Sequence, residues 1–341
     1  MAQVPTSRLP PWSQRILDGS PFSPFWTGAL LVLGFLLLFL VYELALGRFA
    51  KYEVDSYRED LRVAVVLCMF AAYLPAAWLY SVRNAQRTAD ELSPSLTRGD
   101  GTVGLEEAGR FDRAGLRKAG VVGVTLLTVV LLFAEAGIPN LSTLGLMSPE
   151  AYFHRVLLVW IGWFGGRLAY ATWVESKRFS QAGRERLEID LLDLTSVAPL
   201  IRYGLRQALV TIGAFSVLAL MFYDSEAAPN LIWFLLAGSL ATLLFAAVGL
   251  LIPVRGVHAA IAREKTQEIA RVNDQIRRAR TGSGTLPSLA DWIAYRGLIE
   301  SVREWPVDAP TLRRFALYLA IPLGSWFGGA LVERMVDTLL G

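Results

Sequence analysis

Cysteine and histidine are almost missing from this 341-residue chain, which has one cysteine, Cys68, and two histidines, His154 and His258. A lone thiol closes no intramolecular disulfide, and there is no Cys or Cys/His set to hold zinc or iron–sulfur. Cys68 lies within an apolar run, where a small packing residue is expected. Lysine is scarce too: Lys51, Lys118, Lys177 and Lys265 are the only ones among 33 basic residues, a skew to arginine that points to a GC-rich bacterial genome. Net charge is only +3, so a nucleic-acid role lacks its electrostatic footprint. No G-x-S-x-G, H-E-x-x-H, Walker or Rossmann motif occurs. No cofactor, metal site or enzymatic activity is expected.

What the chain has in abundance is grease: 54% of its residues are hydrophobic, with a mean hydropathy of +0.42. It is concentrated in seven apolar runs, 26–46, 63–80, 119–137, 156–174, 205–223, 231–253 and 315–336. About 20 residues of helix match a hydrocarbon core of about 30 Å. Packing most of these runs into one soluble core would leave too few residues to cover it. The expected fold is an all-α polytopic integral membrane protein with about seven transmembrane helices. The first 25 residues are polar and proline-rich, and the first run is far longer than a signal-peptide core, so it is expected to stay as a helix.

Basic residues set the sidedness. Segments 82–118, 175–204 and 254–314 are rich in arginine, whereas 138–153 and 224–230 have no basic residue. The positive-inside rule puts the former in the cytoplasm, giving an N-in, C-out chain. Loop 47–62 fits this poorly, since it holds Arg48, Lys51, Arg58 and Arg62 on the outer side. The expected layout is a cytoplasmic tail (1–25), a six-span bundle (26–253), a cytoplasmic helical hairpin (254–313) and a final span (314–341), in a bacterial inner membrane. Pro75 and Pro322 fall inside spans and are expected to act as kinks or hinges.

The hairpin carries one narrow stripe per helix: Val257, Ile261, Ile269, Val272 and Ile276, then Leu289, Trp292, Ile293, Ile299 and Val302. Such stripes suit coiled-coil-like packing, within the hairpin or between subunits. Segment 187–194 alternates leucine and isoleucine with acids and is expected to lie along the cytoplasmic interface.

Two patterns bear on function. Gly162-Trp163-Phe164-Gly165-Gly166 is echoed by Gly324-Ser325-Trp326-Phe327-Gly328-Gly329. Glycines four apart flatten a helix face for close approach by another backbone. Arg167 follows the first motif and is the deepest basic residue of any span, so it either snorkels to the interface or attracts anions into a pathway. Glu43, Glu135 and Glu333 stand near outer span ends, as a vestibule or as plain interfacial residues. The two histidines fall on opposite sides of the membrane and cannot share a metal. The leading functional expectation is a homo-oligomeric channel or transport subunit, with Arg167, Glu135 and Glu333 along its path and cytoplasmic helices for assembly or gating. The alternative is a membrane-embedded signalling or assembly protein that couples a bilayer event to a cytosolic partner through 254–313. The expected partners are the lipid bilayer, further copies of the chain and that cytosolic protein.

Overall fold

A computed structural model describes residues 22–47, 54–96, 105, 107–134, 152–185, 187, 189–220, 229–280, 289–306, 310–318 and 320. Among these the architecture is all-helical: α1 (Pro24–Ala45), α2 (Val54–Leu92), α3 (Arg113–Ala134), α4 (Tyr152–Glu185), α5 (Ala198–Ala219), α6 (Pro229–Arg280) and α7 (Leu289–Ser301), with a further helical segment at 310–318. Local signals explain the starts that are described. Ser23 caps α1 through the Trp26 N–H (3.4 Å), with Pro24 at the first helical position.

Three helices among the described residues are long and apolar enough to cross a membrane: Pro24–Ala45, Val63–Ser95 and Thr242–Arg278. The runs at 119–137, 156–174 and 205–223 coincide with α3, α4 and α5 where these are described. Most of the run at 315–336, with Pro322, Gly324, Gly328, Gly329 and Glu333, lies outside the described residues, as does Glu135.

Length separates these helices from simple spans. At about 1.5 Å per residue, the 39 residues of α2 extend about 58 Å and the 52 of α6 about 78 Å, well beyond a hydrocarbon core of about 30 Å. The ends of the apolar runs are therefore not the ends of the helices. Segments 82–118 and 175–204, read as basic loops, begin as continuations of α2 to Leu92 and of α4 to Glu185. The helix that begins the hairpin at 254 is likewise unbroken from the sixth run, with Pro253 inside α6. Charge ends a hydrophobic run without ending the hydrogen-bond ladder.

Pro75 is accommodated within α2. It has no N–H for the Ala71 carbonyl one turn back, and the Trp160 indole N–H of α4 donates to that carbonyl at 3.0 Å. A neighbouring helix thus fills the vacant acceptor.

Two apolar cores are stacked along the long helices. One joins α2 to α4 through Leu67, Leu74, Trp78, Leu157, Ile161, Phe164 and Leu168. The other lies where α2, α4 and α6 run on, and holds Leu92, Phe179, Leu200, Tyr203, Val257, Ile261 and Ile299. A smaller cluster of Leu205, Ala208, Ile212, Ala246 and Leu250 receives Phe315 and Tyr318. Outside the first core, α1, α3 and α6 expose large apolar side chains, among them Leu33, Leu37, Leu44, Val122, Leu126, Leu244 and Phe245.

The hairpin packs on itself. Lys265 Nζ donates to the Glu300 carbonyl in the last turn of α7 (2.9 Å) and to the Val302 carbonyl just past its end (2.8 Å), satisfying a helix C-terminus with a cation. Val257, Ile261, Val272 and Ile299 of the expected stripes are buried, but Leu289 and Ile293 are exposed and Tyr295 turns inward instead. The described part of 187–194 packs beside the hairpin, with Leu192 exposed. Leu187 and Leu191 enter the second core and Leu187 bridges to Leu96, because a tight turn rather than a regular strand or helix sets their direction.

Candidate functional site

Arg167 sits on α4 with only 5% of its surface exposed. Its guanidinium lies over three aromatic rings, Trp78 (5.4 Å), Phe164 (5.6 Å) and Trp163 (5.8 Å). A planar cation stacked in this way gains from the ring quadrupoles. Among the described residues the side chain is enclosed by protein. Arg167→Lys keeps the charge but loses the plane; it should cost about 1 kcal/mol and change the Trp78 and Trp163 fluorescence during thermal unfolding in detergent.

The glycines around it divide by direction. Gly162 and Gly166 lie on the backbone of α3: a Cβ at Gly162 would stand 2.8 Å from the Val124 Cα, and one at Gly166 2.9 Å from the Gly123 Cα. Gly165 faces α2 instead and has room, its nearest neighbour being the Leu74 Cδ1 at 3.9 Å. Glu43, expected in water, is buried at 3% exposure. His154 packs by its edge on Phe39 and Phe153, and His258 stacks on Trp305.

A polar seam joins α2 to α5. Tyr73 donates to the Val210 carbonyl (2.7 Å), Ser81 to the Gln207 Oε1 (3.1 Å), Arg206 to the Asn84 Oδ1 (2.7 Å) and Arg202 to Glu91 (2.8 Å). Beside it Glu175, 3% exposed, accepts from the Gly109 N–H and from Arg178, both at 2.9 Å. Arg178 also donates to the carbonyls of Glu107 (3.0 Å) and Arg110 (2.8 Å). This clamp fastens the 107–112 turn to α4. The void among Trp78, Ser81, Phe111, Glu175 and Gln207 has about 10 Å³ of free volume, the size of one water.

A larger concavity opens at the far end of the long helices. About 620 Å³ of groove runs between the 189–196 turn, the end of the α2 extension at Ser95, α6 and α7, within the range of ligand pockets. Among the described residues its walls hold four carboxylates, Asp190, Asp193, Glu264 and Glu268, against one guanidinium, Arg271, with Ile189, Leu191 and Tyr295 as apolar lining. The acids are held in place by short-range bonds. Asp190 accepts from the Leu192 N–H (2.9 Å) and Asp193 from the Thr195 N–H (3.0 Å). Glu268 pairs with Arg271 and accepts from the Tyr295 hydroxyl. The Thr195 N–H holds the Asp193 carboxyl below the usual carboxylate range, while burial and then Glu268 push the Tyr295 phenol up. A concave wall of one sign concentrates the opposite charge.

These acids were not singled out as a site from the sequence. Glu264 and Glu268 share a helix face by their four-residue spacing, but nothing local ties them to Asp190 and Asp193. No family model, characterised protein or solved structure matches the chain.

Proposed function

We propose that this is a multi-pass protein of a bacterial inner membrane that couples the bilayer to a cytosolic partner, docking a basic segment of that partner in the acidic groove. Counting all seven apolar runs as spans, with the N-terminus inside and the C-terminus outside, the groove faces the cytoplasm. The observation that carries this reading is α6: one helix runs from an exposed apolar stretch at Leu240–Leu251 to the groove residues Glu264, Glu268 and Arg271. A tilt or shift of its membrane portion is transmitted to the groove because packed helices move as rigid bodies. Transport draws less support, since Arg167 is enclosed and the void beside Glu175 admits about one water.

Binding of a fluorescent arginine-rich peptide to the full chain in neutral-lipid nanodiscs tests this. Glu264→Lys with Glu268→Lys should weaken binding by about tenfold or more, and raised salt should weaken it for the native chain. An acidic peptide should not bind. Native affinity in the charge-reversed protein would contradict the proposal. The pH profile has a defined sign: Asp193 has a lowered pKa in the fold, so its charge persists as pH falls below the ordinary carboxylate value. Binding should therefore hold from pH 7 to about pH 5 and fade only near or below about pH 4.

A further inference from the structure

We infer that the inner rim of α6 and segment 310–318 form a binding site for the headgroup of an anionic phospholipid, held by Arg255, Arg313 and Arg314 beside the Trp305–His258 stack. The inference rests on the membrane reading above. On α6 the exposed residues Leu244 (58%), Val248 (42%) and Leu251 (45%) lie four and three residues apart. Arg255 continues that stripe four residues on and is also exposed. It is the first charge met on leaving an outward-facing apolar surface.

Segment 310–318 also sets an exposed leucine near exposed arginines. Leu317 is 61% exposed, and one turn before it Arg313 is exposed, with Arg314 alongside. Two contacts set its depth. Trp305 stacks on His258 at 4.5 Å and 14°, whereas Phe315 pairs with the cluster that includes Ala246 and Leu250. In sequence Arg313 and Arg314 lie between those two contacts, as Arg255 does on α6. On each element an exposed leucine, Leu251 or Leu317, lies one turn from an exposed arginine.

The local chemistry suits a phosphodiester. None of the ion pairs among the described residues uses Arg255, Arg303, Arg313 or Arg314. Glu304, next to Trp305 in sequence, pairs with Lys265 at 3.9 Å. His258 Nδ1 donates to the Glu304 carbonyl at 3.0 Å, which fixes the ring under the indole. Trp305 is thereby held half exposed, at 48%, in the role of an interfacial tryptophan. Guanidinium groups bind phosphate oxygens by paired N–H donors, and clustered basic residues at the inner face select anionic lipid.

The test uses the full chain in nanodiscs made from equal phosphatidylcholine and phosphatidylglycerol, with the lipids that stay bound after detergent extraction counted by native mass spectrometry. The native protein should retain phosphatidylglycerol over phosphatidylcholine by about fivefold. Arg255→Gln/Arg313→Gln/Arg314→Gln should bring that ratio to about parity, and the matching triple lysine variant should keep most of it. Single Arg255→Gln and Arg313→Gln variants, each lowering the ratio in part, serve if the triple glutamine variant does not fold. An unchanged ratio in folded glutamine variants overturns the inference, as does equal retention of both lipids by the native chain. Loss of the bound lipid to excess inorganic phosphate also overturns it, since the site would then take a free anion. Failure to insert into vesicles of phosphatidylcholine alone would instead overturn the membrane reading itself.

Discussion

Gly166→Val is expected to destabilise the protein by about 3 kcal/mol or more, while Gly165→Ala, one residue away, changes stability by less than about 0.5 kcal/mol. The contrast follows from what each glycine faces. A Cβ at Gly166 would stand 2.9 Å from the Gly123 Cα and 3.0 Å from the Ala119 carbonyl carbon, and one at Gly123 would stand 2.8 Å from the Gly166 Cα. Both neighbours are backbone, so nothing can swing aside, and the whole of α3 must withdraw from α4. That withdrawal also unseats Trp163 from Gly120 and Tyr170 from Gly115, which they cover closely. At Gly165 the nearest atom is a leucine methyl in ordinary van der Waals contact. Thermal unfolding in detergent, followed by intrinsic fluorescence, measures both. Equal shifts for the two variants would show that α3 and α4 do not meet at these glycines.

Glu175→Leu should cost about 3 kcal/mol, and Glu175→Gln about half of that. Leucine removes the acceptor of the Gly109 N–H and the counter-charge of Arg178, whose side chain is only 21% exposed. Glutamine keeps an acceptor and loses the charge. The turn it holds is a constrained one: Gly109 has φ +78°, a left-handed conformation that a side chain resists, and a Cβ there would also meet the Val82 Cγ1 at 3.0 Å. Unfolding temperature in detergent reports the stability, and protease cleavage at 107–112 reports release of the turn. A Glu175→Leu protein as stable and as resistant as the native one would remove the clamp from the account.

Much of the helical frame was legible in composition. Each apolar run lies in a helix where it is described, and three of those helices are long and apolar enough to cross a membrane. Helix ends were less legible: Arg83, Arg87 and Glu91 end the grease of the second run, yet a hydrogen-bonded ladder continues through them to Leu92. The small-residue motif at Gly162 and Gly166 announced close contact by its spacing. Which helix it meets was not readable, because Ala119 and Gly123 belong to a distant segment. The outward rotation of Gly165 depends on the phase of α4 against α2, which spacing alone does not encode. Arg167 was visible as the deepest basic residue of any span, but Trp78, 89 positions earlier, decides what encloses it. The groove was the least legible feature. Its acids come from two stretches with no local bond between them, and the turn that presents Asp190 and Asp193 reads as amphipathic from its leucines.

As proposed, α6 leaves the bilayer and carries the groove into the cytoplasm without a break. Cys68 is fully buried, so the native thiol adds little background to labelling. A cysteine placed at exposed Arg271, by Arg271→Cys, can be challenged with a membrane-impermeant maleimide in intact cells and again after permeabilisation. The account predicts labelling only after permeabilisation, with Leu244→Cys unreactive under both conditions because lipid covers it. Labelling of position 271 in intact cells would contradict the claim.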